Sequence, residues 1–559
     1  MNPRLLVIEA ILTILAVTLV FLVPVNEAGS RKIWFHFGQI ARKKSLSIVG
    51  VGLLALSVRA VILPIMPVPE PRVHDEFSYL LAADTFASGR VTNPTHPLWQ
   101  HFESFHINQQ PTYSSMYPPA QALVLALGKL LTGYSWVGVW LSSGLMCAAL
   151  CWMLQGWLPA RWALLGGLIA VLRIATLSYW GNSYWGGSVA ALGGLLFLGA
   201  IPGLRRHPDR VRYYLLLGVG IITLINSRPY EGLLLCIATF VAIWIANYNK
   251  LFRPVALGVT RYLLALVVLL LSSGIMMGYY SWRVTGNALK MPYQVNQQTY
   301  AMAKPFLWQT PRSDLQYRHR VMRDFYEAYR DENNKARSSL SGFLDNLTTK
   351  LSRVWLFYVG PVLTLSLLGF SKAIFDRRVR LMVITGGIVS LGLMGETWFQ
   401  PHYIAPMTGL IYGLLLQSMR HLNFWRFRRR RIGNLLVLIV SLLIVVTFLI
   451  ALLTLPVTPV QGRDFGFWCC SETGPSERSR LLADLTAQGG QHLVIVRYDV
   501  SHNFHDEWVY NDADIDKSQV VFARDMGATA NSRLIDYFTN RKVWLLMPDD
   551  KPLHLKPYH

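Results

Sequence analysis

Long apolar runs dominate this sequence and restrict it to one broad fold class. A helix of about 20 largely apolar residues crosses the hydrocarbon core of a bilayer, and roughly twelve such runs can be recognised. The runs lie near residues 4–24, 46–66, 135–157, 162–180, 186–203, 211–227, 231–248, 260–280, 353–370, 380–396, 404–419 and 433–455. Because 52% of the 559 residues are hydrophobic and only 15% are charged, one soluble core cannot enclose the chain. We therefore predict a polytopic α-helical membrane protein with about twelve transmembrane helices.

The net charge of +22 comes from basic loops and does not indicate a nucleic-acid partner. Arginine and lysine residues cluster in alternate short loops, near 31–44, 205–212, 250–261, 372–380 and 426–431. Positively charged loops stay in the cytoplasm, and these clusters all fall on one side if every run crosses. This orientation places two long loops, 67–134 and 281–352, outside the cytoplasm, together with both termini.

The character of the chain changes after about residue 456. Beyond it, helix patterns at 476–487 and 532–538 alternate with strand patterns at 492–498, 519–523 and 542–547, which predicts a small extracytoplasmic α/β domain. A His-Asp-Glu triplet at 505–507 has no informative context and is treated as coincidence. We divide the chain into 1–45, an extra first transmembrane helix with a basic cytoplasmic loop, 46–455, the transmembrane domain with the outer loops, and 456–559.

The triplet His74-Asp75-Glu76 is the strongest candidate for a functional site. It follows the second predicted span and opens a helix pattern at the outer membrane surface. Neighbouring carboxylates in such a place can carry acid/base chemistry. The structural alternative is helix capping, since Asp is a good N-cap and Glu in the first turn favours the helix dipole. The two roles are compatible, because a carboxylate fixed at a helix start is also held rigidly.

The outer loop 67–134 is aromatic and rich in proline, which indicates an ordered segment that covers the outer face. Tyr117 stands before two prolines at the start of the apolar stretch Pro119–Leu131. That stretch is too short to cross a bilayer and predicts a helix lying at the interface.

Other polar residues interrupt apolar sequence near the outer surface. Arg228 and Glu231 separate two spans; ionisable groups at this depth are costly and commonly functional, although these two could simply pair. Lys290 lies among aromatic residues and is a candidate for a phosphate contact. His402 and Tyr403 could contact a substrate or serve as an interfacial anchor.

The order of these features resembles the GT-C superfamily of membrane glycosyltransferases, in particular its protein O-mannosyltransferase and lipid A aminoarabinose transferase type. Asp75-Glu76 resembles the family's Asp-Glu motif, and Tyr117-Pro118-Pro119 resembles the start of its interfacial helix. His402-Tyr403 is similar to its late motif near the lipid phosphate. The resemblance covers roughly residues 46–455, and it departs from the family in the extra first span, in Phe77 and in the outer domain after 456.

The resemblance implies transfer of a sugar from a polyprenyl-phosphate donor to a lipid, glycan or protein acceptor on the outer side of a bacterial inner (plasma) membrane. Asp75 would be the general base, and Glu76 would assist by orienting the acceptor or His74. The expected substrate contacts are His74, Tyr117, Arg228, Glu231, Lys290, His402 and Tyr403. The donor type resembles metal-independent cases, so we expect no metal and no cofactor; membrane lipids are the other partners.

Two other function classes stay open at this point. A transporter or lipid flippase also has about twelve spans, but such proteins tend to show internal repeats and charged groups near the midplane, and neither is recognisable in the sequence. A non-catalytic assembly protein of the cell envelope would bind a partner through residues 456–559 and would tolerate loss of Asp75.

Overall fold

The structure, a computed structural model, describes residues 3–22, 27–247, 257–428, 430–454 and 476–558. Most of these residues are helical, and a small sheet follows near the C-terminus. The predicted boundary at 456 lies outside the described residues.

The helices of the first half are α1 (Pro3–Leu22), α2 (Glu27–Arg42), α3 (Lys44–Val61), α4 (His74–Ala87), α5 (Pro119–Thr132), α6 (Trp136–Trp157), α7 (Ala160–Ala170), α8 (Ser188–Arg206), α9 (Val211–Ile225), α10 (Pro229–Asn247) and α11 (Leu257–Thr285). The later helices are α12 (Pro292–Tyr300), α13 (Arg320–Ser338), α14 (Leu340–Val354), α15 (Gly360–Thr364), α16 (Phe370–Ala373), α17 (Arg380–Met394), α18 (Thr408–Leu422), α19 (Ile432–Thr454), α20 (Glu477–Ala487) and α21 (Ala528–Tyr537). The strands are β1 (Ile107–Asn108), β2 (Ser114–Ser115), β3 (His492–Val496), β4 (Val520–Arg524), β5 (Lys542–Met547) and β6 (His554–Pro557).

Seven helical segments within the described residues are long and apolar enough to cross a membrane: Leu5–Leu22, Lys44–Val61, Trp136–Trp157, Ser188–Arg206, Tyr262–Thr285, Leu340–Ala373 and Ile432–Thr454. Each of them overlaps a predicted run, so the prediction of a polytopic helical membrane protein is confirmed. The other predicted runs contain helices α7, α9, α10, α17 and α18. The segment predicted to form an interfacial helix is helical, as α5.

The first helix is joined to the rest of the bundle by a buried ion pair. Glu9 on α1 accepts a hydrogen bond from Arg173 at 3.0 Å, and both side chains are 2% exposed. The backbone N–H of Val362 donates to the same carboxylate oxygen at 3.2 Å. Charges this deep in an apolar bundle are stable only when they are paired, so this pair fixes α1 against the later helices.

The segment predicted as a basic cytoplasmic loop contains helix α2. Trp34, Phe37 and Ala41 recur at helical spacing on one face and pack into the main hydrophobic core. The Trp34 ring lies 5.8 Å from that of Trp162, near the start of α7. An amphipathic helix therefore covers this end of the bundle.

The C-terminal region forms a four-stranded sheet in the order β4-β3-β5-β6. The three predicted strands are present and parallel, and β6 adds an antiparallel edge that the sequence did not predict. Strand β3 is buried along its whole length, which explains its continuous apolar sequence. Helices α20 and α21 complete the α/β arrangement.

This sheet shares one hydrophobic cluster with the first outer loop. Leu81 of α4 and Phe102 of the loop pack together with Leu493 and Val521 of the sheet. Polar contacts also cross between them; for example, the Arg524 guanidinium donates to the Glu103 carbonyl at 2.7 Å. The C-terminal region is therefore packed directly onto the segment that follows His74-Asp75-Glu76.

Candidate active site

A cavity of about 620 Å³ lies beneath the outer loops, and we call it the central cavity. Distant parts of the chain line it: the start of α4, the loop before α5, the turn between α9 and α10, helix α12, the segment 396–403 and one residue of the C-terminal region. Of the residues predicted to act at a site, six line this cavity: His74, Asp75, Tyr117, Arg228, Glu231 and Tyr403.

Glu76 does not line the cavity, and it caps the helix instead. Its carboxylate accepts hydrogen bonds from the backbone N–H groups of Arg72 at 2.8 Å, Val73 at 3.1 Å and Tyr184 at 3.0 Å. Burial raises the pKa of Glu76 to about 7. From this position Glu76 can orient an acceptor or His74 only through the first turn of α4. Capping by Asp75 is also wrong, because α4 begins at His74 after the N-cap Val73 and Asp75 is its second residue.

Asp75 faces the cavity within a compact polar group. The Tyr117 hydroxyl donates a hydrogen bond to Asp75 Oδ1. Nδ1 of His106 lies 3.1 Å from the Tyr117 hydroxyl and 3.6 Å from the same Asp75 oxygen. Within the described residues, no hydrogen bond reaches Oδ2 of Asp75. Burial and the charge of Asp75 hold the pKa of Tyr117 well above its usual range, so the phenol keeps its proton and remains a donor.

His106 is a site residue that the sequence did not predict. Strands β1 and β2 form a two-stranded ribbon that brings His106, just before β1, beside Met116, just after β2. The backbone of His106 has a φ of 60°, which is unfavourable for a residue with a Cβ. Its carbonyl accepts from the Ser78 hydroxyl at 2.6 Å and from the Met116 N–H at 3.1 Å. These bonds hold a conformation that no local sequence pattern indicates.

The imidazole of His106 is neutral at physiological pH, because burial lowers its pKa against the opposing effect of the Asp75 charge. Since Tyr117 gives its only proton to Asp75, the hydrogen bond between His106 and Tyr117 requires a hydrogen on Nδ1 of the imidazole. The three side chains therefore form a chain of donors that ends on the carboxylate.

The C-terminal region contributes to the same site. The Tyr510 hydroxyl lies 2.6 Å from Nδ1 of His74, and its ring stacks on Phe77 with centroids 4.0 Å apart. His505 lines the cavity and stacks on His74, with centroids 5.8 Å apart and planes 18° apart. The second His-Asp-Glu triplet, interpreted as coincidence, therefore places its histidine against the first.

Arg228 provides a positive charge at the cavity. Its guanidinium lies 4.3 Å from the centre of the Tyr403 ring, and its closest approach to the Glu231 carboxylate is 3.8 Å. That distance is beyond a hydrogen bond, and the Arg228 side chain is 17% exposed. Arginine carries five N–H donors, so this group can still bind an anion in the cavity.

Two predicted substrate contacts are not brought to the cavity wall. His402 is 2% exposed; its Nδ1 lies 2.8 Å from the Tyr179 hydroxyl, and its ring packs on that of Tyr403 at 4.9 Å. Lys290 lies next to the lining residues Met291 and Pro292 but does not line the cavity itself. In the structure His402 packs against Tyr403, which itself lines the cavity.

Two further charged residues line the cavity: Lys350 on α14, and Glu396 just after the end of α17. Nζ of Lys350 donates to the carbonyls of Met394 at 3.1 Å and Glu396 at 2.5 Å, so this cation satisfies a helix C-terminus. The backbone N–H of Glu396 donates to the Leu393 carbonyl at 3.3 Å. The described residues include no group of three or more histidine, cysteine or acidic side chains that could hold a metal ion.

No model of a protein family and no curated protein sequence matches the chain. Among solved structures, it is similar to the oligosaccharyltransferase of Archaeoglobus fulgidus tethered with an acceptor peptide containing the NVT sequon. That match has a TM-score of 0.50 and 9% identity, and it covers 90% of this chain and 69% of the other. Two further matches have a TM-score of 0.47. One is the archaeal oligosaccharyltransferase AglB with an inhibitory peptide and a dolichol-phosphate, at 10% identity over 90% of this chain and 69% of that one. The other is ArnT from Cupriavidus metallidurans in the apo state, at 14% identity over 89% and 93%.

At these identities the likeness concerns the fold, and the argument rests on the match with a TM-score of 0.50. The predicted resemblance is thereby confirmed at the level of the fold: the chain has the fold of this archaeal membrane oligosaccharyltransferase.

Proposed function

We propose that this protein is an integral membrane glycosyltransferase that moves a sugar from a polyprenyl-phosphate donor to an extracytoplasmic acceptor. The observation that carries the proposal is that one cavity is lined both by a carboxylate suited to be a base, Asp75, and by a cation with available donors, Arg228. The GT-C fold supports it. The hexosyl or pentosyl nature of the sugar is part of the proposal.

In the proposed reaction Asp75 acts as general base. The acceptor hydroxyl gives its proton to Oδ2 of Asp75 as its oxygen forms a bond to the anomeric carbon of the sugar. The bond from that carbon to the phosphate oxygen breaks, and the polyprenyl phosphate leaves with the electron pair. Tyr117, which donates to Oδ1, and His106 behind it hold the carboxylate in position. Asp75 then releases its proton to water.

Arg228 would stabilise the negative charge that develops on the leaving phosphate. A guanidinium held at the wall of a cavity is effective at this task, and its stacking on Tyr403 fixes its plane. His402 acts in this proposal through Tyr403, as a positioning residue. Glu76 acts through Asp75 in the same way, by fixing the first turn of α4.

The donor lipid would enter from the bilayer along α11. The most apolar stretch of this helix, within Tyr262–Thr285, has no residue buried inside the protein, which suits a helix that faces lipid. Met277 on α11 nevertheless lines the central cavity. A prenyl chain lying against this helix could therefore present its phosphate to Arg228 without leaving the membrane.

We further propose that all twelve predicted runs cross the membrane, with both termini extracytoplasmic, in a bacterial inner membrane. The basic loops on one side support this orientation. The division into 1–45, 46–455 and 456–559 is proposed with it. The last part would act as a roof over the acceptor side, since His505 lines the cavity.

The test compares Asp75→Asn with Asp84→Asn in proteoliposomes supplied with a panel of polyprenyl-phosphate-linked hexoses and pentoses and with a cell-envelope extract as the source of acceptor. Release of polyprenyl phosphate is measured. Asp84 lies on the same helix about 13 Å further along; it pairs with Lys129 and accepts from the Ala513 N–H, away from the cavity. We expect Asp75→Asn to lose about 10² to 10⁴ in rate, while Asp84→Asn stays active.

A transporter or flippase predicts a different outcome. Labelled donor would cross the bilayer without loss of its sugar, and Asp75→Asn would leave that movement unchanged. An envelope assembly protein would show neither transfer nor movement. Full transfer activity in purified Asp75→Asn protein would remove Asp75 from the mechanism.

A further inference from the structure

A second cavity, of about 780 Å³, lies at the end of the bundle that carries the basic loops. We call it the arginine cavity, because Arg42, Arg161, Arg426 and Arg431 line it. They come from the end of α2, the start of α7 and the segment between α18 and α19. No aspartate or glutamate is among the described residues that line it. Four positive charges around one opening favour an anionic ligand.

The arginine cavity is separate from the proposed active site. Arg42 stands just before α3 and the triplet at 74–76 follows the other end of that helix. Since α3 has 18 residues, it spans about 27 Å. The two cavities therefore lie at opposite ends of the same transmembrane helix, and nothing in the transfer reaction uses the second one.

Backbone and side-chain donors at the start of α7 add to the positive charges. The first three residues of this eleven-residue helix, Ala160, Arg161 and Trp162, all line the cavity. The Trp162 N–H donates to the Pro159 carbonyl at 2.9 Å. The N–H groups of Ala160 and Arg161 lack partners within the helix, and such groups bind phosphate well. Trp162 is 1% exposed, and its indole N–H has no hydrogen-bond partner among the described residues. A buried donor without a partner is costly, and a ligand oxygen in the cavity could satisfy it.

Exposed aromatic residues on the rim indicate where such a ligand comes from. Phe35 and Phe424 line the cavity and are 61% and 64% exposed. Trp425 and Phe427, which follow Phe424 in the chain, are also exposed. Aromatic side chains of this kind are typical of the depth of lipid head groups. The opening therefore lies where the phosphate of a phospholipid would be found.

A different basic cluster provides a contrast. At the turn between α8 and α9, Arg206 donates to the Gly156 carbonyl at 2.6 Å and Arg212 to the Tyr213 hydroxyl at 2.9 Å. None of the arginines of that turn lines the arginine cavity. Basic loops are expected on this side of any such protein, so convergence on a cavity with a helix start is what distinguishes the arginine cavity.

We propose that the arginine cavity binds the phosphate of an anionic phospholipid at the cytoplasmic face. The guanidinium groups provide planar donors that match phosphate geometry, and the aromatic rim contacts the glycerol backbone and the first part of the acyl chains. A soluble phosphate compound would use the same donors without contacting the rim.

The test uses the purified full-length protein in neutral detergent, with dioleoylphosphatidylglycerol and glycerol 3-phosphate as probes and dioleoylphosphatidylcholine as the zwitterionic comparison. Binding is measured by native mass spectrometry and by the rise in Tm. Each arginine near a membrane surface contributes about fivefold to affinity for an anionic lipid. We therefore expect the double variant Arg426→Gln/Arg431→Gln to bind phosphatidylglycerol about 25-fold more weakly.

The matched control is Arg210→Gln/Arg212→Gln, which removes the same charge from the turn between α8 and α9 and should leave affinity within about twofold. Arg426→Lys/Arg431→Lys should recover part of the lost affinity, because charge is kept and the planar fork is lost. Both altered positions are exposed, so folding should be unaffected, and the Tm of each variant without lipid checks it.

The three probes separate the possible sources of phosphate. Tight binding of phosphatidylglycerol with weak binding of glycerol 3-phosphate supports a lipid site. Equal affinities that both fall in the Arg426/Arg431 variant would keep a phosphate site but overturn the lipid assignment. Equal losses in both glutamine pairs, or saturable binding by neither probe, would overturn the proposal. None of these outcomes depends on the glycosyltransferase assignment.

Discussion

Replacement of Glu76 by glutamine tests whether this residue is a catalytic helper or a structural cap. The carboxylate accepts three backbone hydrogen bonds and does not line the central cavity. In Glu76→Gln the amide oxygen can keep the two bonds at the helix start, whereas the amide nitrogen cannot accept from the Tyr184 N–H. One buried donor left without a partner costs about 1–3 kcal/mol, at every pH.

In the wild-type protein the Glu76 carboxyl makes a second contribution to folding stability, and this contribution depends on pH. Burial raises the pKa of Glu76 from 4.5 to about 7. Below pH 4.5 the carboxyl is protonated in both folded and unfolded chains, so its full contribution is present. Between 4.5 and 7 the unfolded chain loses the proton while the folded protein keeps it, and stability falls as pH rises. The loss amounts to about 3 kcal/mol by pH 7.

The assay compares the Tm of wild type and Glu76→Gln in detergent from pH 4.5 to 8. The glutamine does not titrate, so the stability of the wild type relative to Glu76→Gln should fall by about 3 kcal/mol as pH rises from 4.5 to 7, and the difference should then become constant. Other titrating groups are common to both proteins and cancel in the difference. A difference in Tm that does not change with pH would refute the structural reasoning. Transfer should fall less than tenfold in Glu76→Gln, because Asp75 remains; a loss equal to that of Asp75→Asn would restore the catalytic role.

Three further predictions concern charge and contact. Arg228→Gln should raise KM for the lipid donor and lower kcat by about 10², whereas Arg212→Gln should change neither, as steady-state kinetics will show. His505→Ala should raise KM for the acceptor while KM for the donor stays constant, because the C-terminal region covers only one side of the cavity. Glu9→Gln leaves the buried Arg173 charge without its ion partner and should destabilise the protein by about 3–5 kcal/mol, seen as a lower Tm.

Helix positions follow from the sequence because a bilayer allows few alternatives. Each apolar run must satisfy its backbone groups internally, so the run near 433–455 and the helix Ile432–Thr454 nearly coincide.

The strand β6 was not predicted, for the opposite reason. Its four residues, His554–Pro557, are mostly exposed and end in proline, and only pairing with β5 makes them a strand. Short edge strands carry little local signal.

Site residues could be predicted where their charge and their position in the sequence were sufficient. They could not be predicted where tertiary contacts bring them to the site. The carboxylate of Asp75 and the cation of Arg228 could be recognised from their charge near membrane depth. His106 could not, since a positive φ held by a distant serine leaves no pattern in the sequence. His505 lies 431 positions from His74, and only the packing of the sheet on the outer loop brings the two rings together.

One part of the site could have been derived from helix geometry alone. Successive residues of an α-helix point about 100° apart, so Asp75 and Glu76 cannot both face one substrate once they belong to the same helix. The third helical residue is the position whose side chain can reach back to the N-cap backbone, and Glu76 occupies it in α4. The residue before it is then free to project into the cavity. An adjacent pair of acids at a helix start therefore separates into one structural and one reactive carboxylate, with the order set by where the helix begins.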